Sequence, residues 1–167
     1  RFHGLIVTIE SNQDTITRTM DRLAFRLKRF ESLDPQIPSE QWQARWQGFL
    51  RVRVPGKYHF GANVLGRLVM RVNNQEVLNV NSDDASAPIT RFGEAIELAA
   101  GEISITAEFE KHMDRPAVLR VLQRQPDGFE ESILPSDFSH FGSSDQESPA
   151  SQETFKQGLE LITISRC

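Results

Sequence analysis

Cysteine is almost absent from this chain: there is one in 167 residues, and it is the last, Cys167. No internal disulfide can form, so packing and backbone hydrogen bonds must hold the fold. Basic residues are not in excess either. With 19 Lys and Arg against 23 Asp and Glu, the formal charge is -4. Nothing resembles a basic stripe that could neutralise a phosphate backbone, which argues against a nucleic-acid partner. No apolar run approaches the roughly 20 residues needed to cross a bilayer, so no membrane span is expected. A signal peptide is missing as well, but the chain opens on Arg1 and reads as a segment of a longer protein.

Catalytic signatures are also lacking. The sequence contains no Gly-x-Ser-x-Gly elbow, no phosphate-cradling glycine loop and no zincin motif. Its histidines, His3, His59, His112 and His140, do not have the spacing of metal ligands. Glu108 and Glu110 are two apart on an expected strand and so share a face, as an acid/base pair would, yet carboxylates on a strand face are usually solvated. The chain is therefore expected not to be an enzyme.

What is present is strand periodicity. Leu50, Val52 and Val54 alternate with Arg51 and Arg53, and Pro55-Gly56 then turns the chain into Tyr58 and Phe60. His59, between those two aromatics, is expected to face outward. Further strands are expected over 4–9, 67–72, 75–80, 94–98, 102–109 and 117–123. Asn73-Asn74 suits a tight hairpin, because asparagine tolerates positive φ, and Ala100-Gly101 suggests a second. Residues 14–30 are ambiguous: Ile16, Met20, Leu23, Leu27 and Phe30 fit a helix, whereas Leu23, Phe25 and Leu27 alternate as in a strand. Six or seven strands from the Trp46 block onward, without an intervening helix, indicate an all-β sandwich or barrel. With 38% hydrophobic residues, one core can form, over 1–141. Residues 142–152 lack the apolar side chains that offset ordering entropy and read as a linker. Phe155, Leu159 and Ile162 then fall at the spacing of a short amphipathic helix.

The block Trp46-Gln-Gly-Phe-Leu-Arg-Val-Arg-Val-Pro-Gly-Lys-Tyr-His-Phe60 resembles the core signature of the protective-antigen-type (PA-14) family. So do Gly4-Leu-Ile-Val-Thr-Ile9, the segment from Leu98 to Phe109, Ala117-Val-Leu-Arg-Val-Leu122 and Ile133-Leu134-Pro135, and the likeness covers about residues 4–138. It implies a β-sandwich module of an exported multidomain protein and favours a strand over 22–30. It also implies a core position for Trp46, leaving Trp42 as either core or sugar-stacking. Sugar-binding members of this family hold calcium with an Asp-Asp pair ahead of an Ile-Asp-Gly turn. Here Asn63, Val64, Leu65 and Gly66 stand where the pair should be and Asn73-Asn74 replaces Asp-Gly, so calcium is doubtful. Asp83-Asp84 lies about ten residues further on, in a loop, and is expected to be solvated.

The helix pattern ending in Arg166-Cys167 is similar to the first helix of a c-type cytochrome, whose Cys-x-x-Cys-His motif attaches haem. Cys167 would be the first residue of that motif, with residues 153–167 opening a following domain and haem c carried by the parent protein; this fragment alone would hold no cofactor. The expected function is a non-catalytic accessory module, periplasmic or extracellular. It would bind a glycan or a surface through Asn63, Arg67, Asn73, Asn74, Asp83 and Asp84 and position a neighbouring cytochrome c or enzyme domain. The alternative is a structural spacer or docking domain with no glycan ligand.

Overall fold

The computed structural model describes residues 2–12, 14–29, 31–37, 41–82, 87–111, 115–133 and 135–141. Fourteen strands occupy them: β1 (Phe2–His3), β2 (Leu5–Glu10), β3 (Thr15–Met20), β4 (Ala24–Leu27), β5 (Gln43–Val52), β6 (Gly56–Leu65), β7 (Arg67–Val72), β8 (Gln75–Asn81), β9 (Ile89–Phe92), β10 (Ile96–Leu98), β11 (Gly101–Glu110), β12 (Ala117–Arg124), β13 (Glu130–Ser132) and β14 (Phe138–His140). A single 3-10 turn spans Pro135–Asp137. All pairings are antiparallel and form two sheets. In the eight-stranded sheet, β5 pairs along its whole length with β11, which pairs with β7 and then β8. The other side of β5 is shared, with β2 and β3 at one end and β14 and β1 at the other. In the six-stranded sheet, β6 and β12 lie at the centre, flanked by β9 and β10 on one side and by β4 and β13 on the other.

Alternation dictates this layering, because a strand that buries every second side chain must have its inner face covered by another sheet. Ala44, Trp46, Leu50 and Val52 of β5 point inward, as do Tyr58, Phe60, Ala62 and Val64 of β6. One inner row, Ile9–Ala44–Phe109–Leu68–Val80, crosses five strands in register. Phe25 of the facing sheet packs against Trp42, Trp46 and Phe109, with ring centroids 5.9, 6.1 and 5.1 Å away. Both tryptophans are thus core residues, and Trp42 offers no surface for a sugar to stack on.

The sandwich expectation holds, with several corrections. From Gln43 onward there are ten strands rather than the six or seven anticipated, because β9, β13 and β14 have four residues or fewer and carry no readable period. Residues 14–30 contain two strands, β3 and β4; the helical spacing there is fortuitous, and the strand favoured over 22–30 is β4. Val54 is 52% exposed rather than buried, because β5 stops at Val52. Asn73 and Asn74 do form the tight β7–β8 hairpin, with φ of 55° and 65°. Ala100-Gly101 is not a hairpin: β10 pairs with β6 and β11 with β5, so this turn, with Gly101 at φ 128°, carries the chain from one sheet to the other. The expected linker and helix lie outside the described residues.

Candidate functional site

If the inner row of the eight-stranded sheet is apolar, the row one residue along must face solvent. Outward side chains come from five strands: Thr8 and Glu10 of β2, Gln43, Arg45 and Gln47 of β5, Glu108 and Glu110 of β11, Arg67 and Val69 of β7, and Asn79 and Asn81 of β8. Register sorts them into rows. Glu10, Gln43, Glu110, Arg67 and Asn81 stand side by side across five strands. Thr8, Arg45, Glu108, Val69 and Asn79 form the next row. The outward side chains from Thr8 through Val69, with parts of Ala44 and Phe109 beneath them, line a trough of about 500 Å³. At 4.7–4.9 Å per strand, the trough is roughly 14 Å across from β2 to β7.

Within it, Gln43 Nε2 donates to Glu10 Oε1 at 3.1 Å, and Arg45 lies 3.8 Å from the Glu108 carboxylate. Glu108 and Glu110 do share a face, as their spacing requires. The face carries amides, carboxylates and guanidinium groups but no exposed aromatic ring among its lining residues. Such a surface can donate and accept several hydrogen bonds side by side.

The residues expected at the site are divided by the structure. Arg67 lines the trough and pairs in register with Asn81. Beside them Ser82, which follows β8, is tied to the β6–β7 turn: its Oγ accepts from Gly66 N at 2.8 Å and donates to Gly66 O at 3.1 Å. Asn63 sits on the other sheet, where its Nδ2 donates to Thr90 Oγ1 at 3.0 Å. Gly66 separates them; with φ of 135° and packed beneath the Phe109 ring, it passes the chain between sheets. Asn73 and Asn74 lie at the far end of β7, about 20 Å from Arg67 by strand rise. Asp83, Asp84 and Cys167 lie outside the described residues.

Residues 63–66, where the resemblance would place a calcium-binding pair, do not offer the oxygen ligands the ion needs. Val64 and Leu65 are buried apolar side chains, and the Asn63 amide is engaged by Thr90. Among the described residues, no group of three or more His, Cys, Asp or Glu could hold a metal, and no helix is long and apolar enough to cross a membrane. His59 does face outward and is half-buried, its Nδ1 3.2 Å from Gly93 O.

A second charged feature lies away from the trough. Asp137 is buried, and its carboxylate lies 2.8 Å from the Arg53 guanidinium. Burial pushes its carboxyl above the ordinary 3.8, with Arg53 and then Arg51 opposing. A raised folded-state value means that the folded protein holds its proton more tightly than the unfolded chain. Stability from this group is therefore greatest below pH 3.8 and falls as pH rises through the raised value. Asp137→Asn is expected to remove that part of the slope. Urea melts of both proteins between about pH 3.5 and pH 7 check this, since the difference between them cancels the other carboxylates.

No family model matches the sequence, and neither does any curated protein. Solved structures do match. An anti-sigma factor domain-containing protein superposes on 90% of this chain with a TM-score of 0.74 and 19% identity, and this chain spans 50% of its length. A PA14 sugar-binding domain from an RTX adhesin superposes with a TM-score of 0.68 and 17% identity, covering 84% of this chain and all of the adhesin domain. The A domain of Epithelial Adhesin 9 from Candida glabrata, solved with Galb1-4GlcNAc, gives 0.61 at 10% identity over 81% of this chain and 88% of the adhesin domain. The sandwich is therefore the fold of PA14 and adhesin domains, and it is shared with the anti-sigma factor protein.

Proposed function

We propose that this domain is a non-catalytic carbohydrate-binding module of an exported multidomain protein and that the trough on its eight-stranded sheet is the binding face. The observation that carries the reading is the in-register polar row Glu10–Gln43–Glu110–Arg67–Asn81 at the edge of a 500 Å³ depression. Sugars are recognised by planar polar side chains that meet several hydroxyls at once, and this row presents five of them. The likeness to a domain described as sugar-binding and to an adhesin domain solved with a disaccharide supports the reading.

Fold is a weak warrant for function, so the test addresses binding itself. A glycan array probed with the purified chain, with calcium and with a chelator, is expected to give saturable binding to at least one oligosaccharide class. Absence of binding in both conditions would overturn the reading in favour of a spacer or docking domain.

The proposal extends to the parent chain as a c-type cytochrome that would carry haem c. Only the sequence pattern from Phe155 to Cys167 supports this. Expression of the native gene past Cys167 with haem-maturation machinery is expected to give a protein with covalently bound haem in its absorption spectrum. A colourless product would remove the cytochrome context and leave the binding face untouched.

A further inference from the structure

Five charged side chains line the trough: Glu10, Arg45, Arg67, Glu108 and Glu110. Three of them are already engaged, Glu10 by Gln43 and Glu108 by Arg45. Glu110 and Arg67 remain. They are direct cross-strand neighbours on β11 and β7, yet among the described residues neither makes a side-chain hydrogen bond or an ion pair. An exposed Arg–Glu pair is worth at most about 1 kcal/mol, so nothing substantial binds these two heads to each other in preference to a ligand.

We infer that Glu110 and Arg67 act together as a recognition pair for neutral sugars bearing adjacent hydroxyls, without calcium; this rests on the carbohydrate-binding reading above. A guanidinium can only donate hydrogen bonds and an ionised carboxylate can only accept them. A ligand that satisfies both must present an acceptor and a donor side by side, and two neighbouring hydroxyls on one ring do so. The unengaged charges sum to zero, which selects against charged sugars. A uronate drawn to Arg67 would meet Glu110 directly and Glu108 one row away. An amino sugar drawn to Glu110 would meet Arg67. A divalent ion that grips two sugar hydroxyls has its positive charge supplied here by the guanidinium, with the carboxylate taking the hydroxyl proton as a hydrogen bond. Val69, the one small apolar outward side chain of the adjoining row, leaves room for a ring to lie close to the sheet.

The test is titration calorimetry of the purified chain in a chelator with neutral probes (lactose, N-acetyllactosamine, mannobiose and cellotetraose), and with polygalacturonate and chitosan oligomers as charged probes. Neutral binding is expected to persist without calcium and to exceed binding of either charged class. Arg67→Ala and Glu110→Ala are each expected to weaken it at least tenfold, while Glu110→Gln, whose amide oxygen still accepts, stays within about threefold. Both side chains sit on the outward face, so circular dichroism and melting are expected to match the parent. Preference for a charged class, loss of binding in chelator, or binding that survives both alanine substitutions would overturn the inference while leaving the glycan-binding reading intact. Failure of every sugar to bind the unaltered chain would overturn both.

Discussion

Trp46→Ala is expected to cost about 3–5 kcal/mol of folding stability, the range for removing a buried tryptophan. The side chain is 1% exposed at the middle of β5, with its ring stacked on Phe25 of the opposite sheet, 6.1 Å between centroids and 14° between planes. Its register neighbours are Val7 and Ala107, which are too small to collapse into the space it would leave. The cavity would therefore persist, and the cost falls in the upper part of the range for large-to-small changes. Domains of this kind have about 5–15 kcal/mol in total, so the variant would be marginal. The indole Nε1 has no hydrogen-bond partner among the described residues, so packing, not a polar contact, accounts for the loss. Trp46→Phe separates the two contributions: it keeps an aromatic ring and discards the unpaired N–H, and it should cost less than half as much. Urea denaturation followed by circular dichroism measures both. A loss below about 1 kcal/mol for the alanine variant would mean that the two sheets do not depend on this contact.

The sandwich was legible because half-buried strands of six to ten residues display their alternation openly; β2, β5, β7 and β11 all do. Short strands do not. β9, β13 and β14 owe their existence to the long strands they pair with, and no local pattern announces them. Turn chemistry was informative about conformation and silent about destination. Asn73-Asn74 and Ala100-Gly101 both mark sharp reversals with positive φ, but one closes a hairpin and the other crosses between sheets. Only the pairing of the flanking strands distinguishes them.

The site was legible in pieces. Glu108 and Glu110 had to share a face, and the alternation of Gln43, Arg45 and Gln47 with Ala44 and Trp46 could have marked the same face on β5. Their assembly with Arg67 depends on the register β5–β11–β7, which is a long-range property. Asn63 shows the converse: four residues from Arg67 in sequence, it is on the other sheet because Gly66 lies between them. Proximity in sequence fails as a guide wherever a turn changes sheets.

Gly93→Ala is expected to destabilise the domain by about 2–3 kcal/mol, the cost of forcing extra volume where neither side can move. Gly93 follows β9 and is tied at both ends of its peptide: its N–H donates to Phe60 O at 2.8 Å and its carbonyl lies 3.2 Å from His59 Nδ1. A Cβ added there would overlap the carbonyl oxygen of Val77, on β8 of the opposite sheet. Backbone meets backbone at this edge of the sandwich, so no rotamer change can relieve the overlap and the sheets must part locally. Gly101→Ala provides the comparison, because nothing lies within 4 Å of its added Cβ and only the strained φ of 128° is penalised. That variant should lose roughly 1 kcal/mol. The larger loss at Gly93 would also reach the trough. β8 carries Val77 on its inner face and Asn81 beside Arg67 on its outer face, so pushing the strand outward shifts the end of the polar row. Thermal melts of both variants and calorimetry with the best neutral sugar form the test. Equal destabilisation by the two alanines would show that the close approach of β8 to Gly93 carries no energetic weight, and unchanged affinity in Gly93→Ala would show that Asn81 stays in place when the edge opens.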